Sequence, residues 1–397
     1  MTTRTATAAA LTFLVAACGS PDPGEAQSGD DPSGEQPSPD VQREIERLKG
    51  GSSWTTDFSK RAVPLEEIVS GGPPKDGIPS LDDPPFVPPA RAVGWLEAES
   101  PVMVVEREGR AKAYPLAILM HHEIVNDRIA GVPVAVTYCP LCNTALVFDR
   151  RVEGRVLDFG TTGRLRRSDL VMYDRQTETW WQQASGRAIV GELVGTTLEL
   201  IPANTLSWKR ARDLHPDLQV LSRDTGFNRR YGINPYAGYD RIGSRPSAAF
   251  FRGEIDDRLP AMERVAGLGP GEGWAAPFSA LEEARVANAA VGDTAFVVFW
   301  APGAASALDE GEVAEGRDVG MTAAYRRTVE GRTLTFRPAG DRFRDEQTGS
   351  TWSLAGEAVA GPLEGAALEP IPHGNHFWFA WAAFHPETAI WRGEGGG

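Results

Sequence analysis

The sequence predicts an α+β fold that is mostly β. Short runs of alternating apolar and polar residues favour strands, and 43 glycines and 30 prolines separate these runs as turns. No long stretch shows the apolar period of an extended helix. A long internal repeat indicates two tandem copies of one unit of short strands and glycine turns, each with one or two short helices.

The internal repeat is clearest around two related tetrapeptides. Asp174 to Thr177 is Asp-Arg-Gln-Thr, and Asp345 to Thr348 is Asp-Glu-Gln-Thr. Further matches follow at nearly constant spacing, namely Trp181 with Trp352, Trp208 with Trp378 and His215 with His385. We expect a Gly/Pro-rich lead-in over residues 54–89, a first copy over 90–245 and a second, degenerate copy over 246–397.

The first 18 residues are predicted to be an export signal. Ala6 to Ala17 is an apolar run too short to span a bilayer, and small residues precede Cys18. This arrangement is typical of a lipobox, in which Cys18 becomes the lipidated first residue. The alternative is an ordinary signal peptide that is cut nearby. We therefore expect a cell-envelope protein, lipid-anchored to the outer face of the cytoplasmic membrane or to the outer membrane.

The segment after the signal is predicted to be a disordered tether. Residues 19–53 are rich in Pro, Gly, Ser, Asp and Glu, a composition that does not bury a core. A short amphipathic turn over Val41 to Leu48 is the one interruption that we expect.

The charge of the chain excludes one class of partner. It carries 40 basic and 54 acidic residues, a net charge of −14, which argues against nucleic-acid binding. No motif for a nucleotide cofactor is present. The membrane, reached through the lipid on Cys18, is the only partner that the sequence predicts, and it identifies no protein or small-molecule partner.

The candidate functional site lies at Cys139-Pro140-Leu141-Cys142. Val134 to Tyr138 and Ala145 to Phe148 read as strands, so the two cysteines occupy the turn between them. A thioredoxin-type pair instead begins a helix, whose dipole lowers the thiol pKa. The strand-turn-strand setting resembles a metal knuckle, with Asn143 at the position where a left-handed backbone is expected.

One such turn supplies two sulfur ligands, so a tetrahedral site needs two more. His122 is the predicted third ligand, and His121, Glu123 or water the fourth. Two thiolates with an imidazole suit one zinc or copper ion. Asn126 and Asp127 follow and are candidates to hydrogen-bond a ligating histidine. The alternatives are a redox or structural disulfide, and inert buried thiols.

The second copy lacks these candidate ligands. His122, Cys139 and Cys142 align with Ala284, Ala301 and Ala304. The basic loop that carries Arg164, Arg166 and Arg167, from Arg164 to Asp169, has no counterpart, and Trp180 aligns with Thr351. We expect these arginines and Trp180 to rim a ligand site. The alternative is a solvated surface loop.

Several segments carry a family resemblance. They are Gly71 to Pro79, Tyr114-Pro115, His122 to Asp127, Thr137 to Asn143, Phe159-Gly160, Met172 to Asp174 and Asn234 to Tyr236. In this order they resemble the bacterial domain of unknown function 3179 family over nearly all of the globular region. His121 departs from the aromatic residue that the family more often has. The resemblance implies no established activity, and it suggests that Lys75 and Asp76 lie near the same surface.

Three functional hypotheses follow. The first is a surface-tethered lipoprotein with a transition metal at Cys139, Cys142 and His122, which stores, delivers or uses the metal as a Lewis acid. The second is a thiol-disulfide redox protein that uses the same cysteines. The third is a non-catalytic binding or assembly module of the envelope, for which eleven tryptophans offer aromatic platforms. The sequence assigns no reaction; if there is one, its candidate residues are the two cysteines, His122 and Glu123.

Overall fold

The computed structural model describes residues 38–269 and 273–393. Strands make up 39% of the structure and helices 14%, which confirms the predicted mostly-β, α+β class. The predicted signal peptide, Cys18 and residues 19–37 of the predicted tether lie outside the described residues. No helix in the described ranges is long and apolar enough to cross a membrane.

The α-helices of the described chain are short. They are α1 (Pro39–Lys49), α2 (Leu116–His122), α3 (Trp208–Leu214), α4 (Phe278–Ala284) and α5 (Trp378–Phe384). Proline precedes α2 and α4 as Pro115 and Pro277, with an extended backbone that sets the helix start. Both helices end at a residue with positive φ, Glu123 at 60° and Arg285 at 65°, which turns the chain into the next strand.

Helix α1 corrects the predicted extent of the tether, because it lies within residues 19–53. Ile45 and Leu48 are buried and pack in a cluster with Phe58 and Trp180. Arg164 donates from Nε and Nη2 to the Leu48 carbonyl at 2.9 and 2.7 Å, which holds the C-terminal end of the helix. The amphipathic turn predicted over Val41 to Leu48 is thus part of a longer, docked helix, since two buried apolar residues on one face are enough to dock a short helix.

The strands up to residue 221 form three five-stranded sheets and one two-stranded sheet, in the orders β1-β11-β12-β13-β14, β15-β8-β7-β6-β2, β16-β4-β5-β17-β3 and β10-β9. Their bounds are β1 (Ile68–Ser70), β2 (Leu81–Asp82), β3 (Phe86–Val87), β4 (Pro101–Arg107), β5 (Arg110–Pro115), β6 (Ile124–Ile129), β7 (Val132–Cys139), β8 (Thr144–Asp149), β9 (Arg151–Val152), β10 (Arg155–Val156), β11 (Phe159–Arg166), β12 (Asp169–Asp174), β13 (Trp180–Gln182), β14 (Arg187–Val190), β15 (Leu200–Ile201), β16 (Asn204–Ser207) and β17 (Gln219–Leu221).

The strands from residue 264 onward follow a similar order with fewer members, in the sheets β29-β18-β19-β30, β20-β21-β22, β23-β24 and β25-β26-β27-β28. Their bounds are β18 (Arg264–Leu268), β19 (Trp274–Pro277), β20 (Val286–Val291), β21 (Thr294–Ala301), β22 (Met321–Arg326), β23 (Thr328–Val329), β24 (Arg332–Thr333), β25 (Phe336–Ala339), β26 (Arg342–Asp345), β27 (Thr351–Trp352), β28 (Ala358–Ala360), β29 (His373–Phe377) and β30 (Ala389–Ile390).

The two parts of the chain also share local contacts. Trp181 Nε1 donates to Asp174 at 3.0 Å, and Trp352 Nε1 donates to Asp345 at 2.9 Å. One parallel pairing is equivalent in the two parts, β17 with β5 and β30 with β19. The architecture is therefore similar in the two parts, and their origin by duplication stays a prediction.

The hydrophobic cores combine residues from both parts. One cluster packs Phe377 and Phe379 with Cys139, Cys142 and Phe148. A second places Val104 and Trp208 among residues of β21, β25 and β26. Burial of this apolar surface is the main force that holds the two parts together.

The lead-in segment is fixed to β11 at a glycine. Gly163 has φ +70°, and a Cβ at this position would lie 2.0 Å from the Pro73 carbonyl oxygen. We expect Gly163→Ala to lower the free energy of unfolding by about 2–4 kcal/mol, since both the backbone and the contact become strained. The control is Gly131→Ala, which has φ +82° but nothing within 4 Å of the new Cβ. Urea unfolding measures both variants, and equal losses would contradict the contact.

Candidate metal centre

The cysteines lie in a tight turn between β7 and β8, as the sequence predicts. Cys139 ends β7, and a short 3-10 turn over Pro140–Cys142 follows. Asn143 then adopts the left-handed conformation, with φ 51° and ψ 29°, and β8 begins at Thr144. Both cysteines are free thiols. The turn brings their side chains to the same side because the chain reverses within four residues.

A carboxyl group completes this cluster. Asp169 begins β12, and Cys142 Sγ donates to its Oδ1 at 3.0 Å. The two sulfurs and one Asp169 carboxylate oxygen all lie within 4.8 Å of one another. In the described part of the chain, this is the only such group of three potential ligands. Tetrahedral zinc requires donor atoms about 3.5 Å apart, so a small adjustment brings the three onto one ion.

The Asp169 carboxyl is held rigidly on its other side. Its Oδ2 accepts hydrogen bonds from Gln182 Nε2 at 2.6 Å and from the Ala184 backbone N–H at 2.8 Å. These donors leave Oδ1 facing the cysteine turn. Second-sphere hydrogen bonds of this kind orient a metal-ligating carboxylate.

Glu123 provides a second buried carboxyl beside the cluster. Its backbone is fixed at the end of α2, where its carbonyl accepts from the Tyr138 N–H at 2.8 Å. Burial, together with the negative charge of Asp169, raises the pKa of Glu123 to about 8. Among the residues described, the Glu123 side chain has no hydrogen-bond or ion-pair partner.

Burial also shifts the titration of the other acid groups. Cys139 is 1% exposed, and Cys142 and Asp169 are fully buried. Desolvation raises the pKa of both thiols and raises that of Asp169 to about 6. A thiol is a much poorer nucleophile than a thiolate. Without a bound cation, Cys139 and Cys142 are therefore expected to exchange slowly with disulfides.

Two tyrosines of a later segment cover the cluster. Tyr239 donates from its hydroxyl to the Leu141 carbonyl at 2.9 Å, within the cysteine turn itself. Burial, and after it the negative charges of Glu123 and Cys139, raises the pKa of Tyr236 well above its ordinary value. Burial likewise raises the pKa of Tyr239, so both hydroxyls stay protonated and add no negative charge to the cluster.

His122 is not a member of the cluster, although the sequence predicts it as the third ligand. Its Nδ1 donates to the Pro79 carbonyl at 2.7 Å, and its Nε2 accepts from the Tyr231 hydroxyl at 2.6 Å. Burial lowers the pKa of His122 to about 4, so the ring is neutral at pH 7. With both nitrogens bonded, His122 joins the lead-in segment to the segment around Tyr231. His121 is half-buried, lies edge-on to Tyr231 and also stays outside the cluster.

We expect His122→Phe to destabilise the fold without removing the metal site. The change leaves the Pro79 carbonyl without its donor and removes one of the two partners of the Tyr231 hydroxyl, which keeps Thr225, at a cost of about 2–4 kcal/mol in the free energy of unfolding. Chemical denaturation measures this loss, and zinc titration of the folded variant measures the site. Tyr231→Phe serves as the control that breaks one of the two bonds. A folded His122→Phe protein that no longer binds metal would show that His122 is a ligand after all.

Asn126 and Asp127, predicted to hydrogen-bond a ligating histidine, make other contacts. The Asn126 side chain donates to the Phe159 carbonyl and accepts from its N–H, at 2.8 and 2.9 Å. Asp127 accepts from the Tyr114 hydroxyl and from Lys112 Nζ, each at 2.7 Å. Both therefore tie strands together, as does Asn288, the equivalent of Asn126.

Lys75 and Asp76, predicted at the same surface, form a neighbouring polar cluster. Lys75 Nζ pairs with Glu178 at 2.5 Å and lies 4.1 Å from the centre of the Trp54 ring. Asp76 Oδ2 accepts from the Tyr173 hydroxyl at 2.5 Å. These contacts fix the lead-in segment on the sheet of β11 and β12.

The arginines that were predicted to rim a ligand site do not form one. Arg164 binds the end of α1, Arg166 pairs with Glu67 at 2.6 Å, and Arg167 donates to the Ala383 carbonyl. Trp180 is fully buried in the cluster beneath α1. Each of these side chains contacts another part of the fold. Their role is therefore to hold segments of the chain together.

Sequence reasoning missed Asp169 as a ligand, although a signal was present. The residue closes the Arg164–Asp169 segment, which the second copy lacks together with the cysteines. We assigned a role to the arginines of that segment and none to Asp169, its only carboxylate. Joint absence of the segment and the cysteines was the feature that pointed to Asp169.

The chain was compared with known proteins. Residues 75–388 match the protein family described as a protein of unknown function, DUF3179. No curated protein and no solved structure matches. The family match spans the cysteine turn, Asp169 and the covering tyrosines.

Proposed function

The chain belongs to the DUF3179 family, and within it we propose that this protein binds a transition-metal ion through Cys139, Cys142 and Asp169. The observation that carries the proposal is the approach of two free thiols and one carboxylate oxygen to within 4.8 Å in a buried setting. Glu123 or a water molecule supplies the fourth position of a tetrahedral site.

The donor set favours zinc. Two sulfurs suit both zinc and monovalent copper, but a carboxylate oxygen is a harder ligand that suits Zn²⁺ better than Cu⁺. The carboxylate is also held by Gln182 and Ala184, as a ligand is in a preorganised site.

The electrostatics of the site also favour a cation. Four acid groups lie in or beside the cluster, namely Cys139, Cys142, Asp169 and Glu123. In the ranges that the structure covers, neither carboxylate forms an ion pair. A bound divalent cation would offset the cost of burying their charges and hold the thiols as thiolates.

Zinc titration of the purified chain of residues 19–397 tests the proposal. This chain retains all of the compact unit that begins at Pro39. We expect one zinc per chain, and at least a ~100-fold loss of affinity in Cys139→Ser and in Cys142→Ser.

The same experiment distinguishes the redox hypothesis. A protein that binds no zinc, and whose two cysteines form a disulfide that cycles reversibly, would overturn the metal proposal. The raised pKa of both thiols argues against that outcome, because thiolate is the reactive species in exchange.

We also propose that the protein is exported and lipid-anchored through Cys18. The apolar run before Cys18 and the small residues at its end support this proposal. Expression of the full chain with an alkyne-labelled fatty acid tests it. We expect the label in the membrane fraction of the wild type and its absence in Cys18→Ala, and an unlabelled wild type would contradict the lipobox.

A further inference from the structure

A large cleft lies outside the metal centre. It encloses about 640 Å³, within the range of small-molecule sites. One wall comes from the first part of the chain, around Leu146, Leu198 and Arg187, and the other from the second part, around Leu268 and Trp381. The cleft is thus assembled only when the two parts pack together.

The cleft is mainly apolar. Its inner residues include Leu146, Leu198, Leu268, Phe296 and Trp381, each of them less than 9% exposed. At its mouth, Leu200 is 37% exposed and Val291 42% exposed, and both are among the few large apolar side chains that the fold leaves in water. An apolar ligand would bury these residues.

The charges of the cleft have one sign. Its lining contains Arg187 and Arg326 but, among the described residues, no Asp or Glu, in a chain whose net charge is −14. Arg326 pairs with Glu369 at 3.2 Å. Arg187 is exposed and, in the part of the chain that the structure covers, forms no ion pair. Its guanidinium is therefore available to an acid group at the mouth.

Hydrogen bonds hold the inner wall of the cleft in place. His376 Nδ1 lies 2.9 Å from Thr144 Oγ1, and His373 Nε2 lies 3.3 Å from Thr322 Oγ1. Burial lowers the pKa of both histidines, to about 3 and about 4, so neither carries charge at pH 7. Trp381 donates to Thr388 at 3.0 Å. These bonds hold the side chains of His373, His376 and Trp381 in place, and His385, which also lines the cleft, stacks on the Trp381 ring with a centroid distance of 3.9 Å.

We propose that this cleft binds a small, elongated apolar molecule that carries one acid group, of the chemical class of a medium-chain fatty acid. The chain of such a molecule fills the apolar interior, and its carboxylate meets Arg187 at the mouth. The combination of a mainly apolar interior with an unpaired cation at the entrance is what selects this class over neutral or cationic molecules.

Calorimetric titration of the chain of residues 19–397 with dodecanoate, below its micelle concentration, tests the proposal. We expect one saturable site per chain and about 15-fold weaker binding of decanoate, because each of its two missing methylenes contributes about fourfold. Dodecanol, which has the same chain and no charge, is expected to bind at least tenfold more weakly.

Variants locate the site. Arg187→Gln is expected to weaken dodecanoate binding about tenfold, while Arg332→Gln, an exposed arginine outside the cleft, leaves it unchanged. Cys139→Ser is expected to bind dodecanoate normally, which separates this proposal from the metal site. Absence of saturable binding, or equal losses in Arg187→Gln and Arg332→Gln, would overturn it.

Discussion

Replacing Asp169 with asparagine is expected to weaken zinc binding about 100-fold and leave the fold intact. The substitution removes one anionic oxygen from a group of three ligands that lies within 4.8 Å. The remaining two thiolates then hold the ion without the third negative charge. Competition titration against a chromophoric chelator measures the change.

The fold should tolerate this substitution because asparagine has nearly the same shape. Its side-chain oxygen can still accept from Gln182 and from the Ala184 N–H, and its amide group faces the Cys142 sulfur. Asp224→Asn, at an exposed position, is the control for the charge change. Unchanged zinc affinity in a folded Asp169→Asn protein would remove Asp169 from the ligand set.

Replacing Glu123 with glutamine is expected to stabilise the metal-free protein by about 3–5 kcal/mol at pH 8. The pKa of Glu123 is about 8 in the folded protein, against the ordinary value of 4.5. Between these values the unfolded chain binds fewer protons than the folded chain. The free energy of unfolding of the wild type therefore falls as pH rises from about 4.5 to 8. Above pH 8 the folded protein loses the proton on Glu123, and the stability that it contributed is gone.

Glutamine stays neutral throughout this range, so the variant should lose less stability as pH rises. Urea unfolding at pH 5 and pH 8, with a chelator present, measures the difference between the two proteins. Glu346→Gln, an exposed glutamate, should follow the wild type at both pH values. A Glu123→Gln protein with the same pH dependence as the wild type would mean that Glu123 is not buried as a neutral acid.

The cysteine turn could be predicted from sequence because its determinants are local. Strand-forming residues flank Cys139 and Cys142, and Asn143 takes the left-handed position that ends the turn. The mostly-β class follows in the same way from alternation and turn residues. In each case the residues that decide the structure are neighbours in the chain.

The ligand set depends on contacts between distant segments. His122 lies closer to the cysteines in sequence than Asp169 does, yet its two ring nitrogens are hydrogen-bonded to Pro79 and Tyr231. Asp169 reaches Cys142 because β12 pairs with β11 and the turn between them ends at the cluster. The number of residues between a side chain and the cysteines does not show whether that side chain is bonded elsewhere in the fold.

The arginines of the 164–169 segment show the same limit. Their composition suggested a binding rim, but the partners that the fold brings to Arg164 and Arg166 are the Leu48 carbonyl and Glu67. Both partners belong to the segment before residue 70, part of which was predicted to be disordered. Arg164 and Leu48 lie 116 residues apart, so the local pattern around either residue could not predict their contact.

X-ray absorption spectroscopy at the zinc edge is the most direct test of the metal centre. We expect two sulfur neighbours at about 2.3 Å and one or two oxygen neighbours at about 2.0 Å, with no imidazole multiple scattering. Asp169→Asn should leave the two sulfurs in place. A first shell without sulfur, or one with a histidine ring, would contradict a site made by Cys139, Cys142 and Asp169.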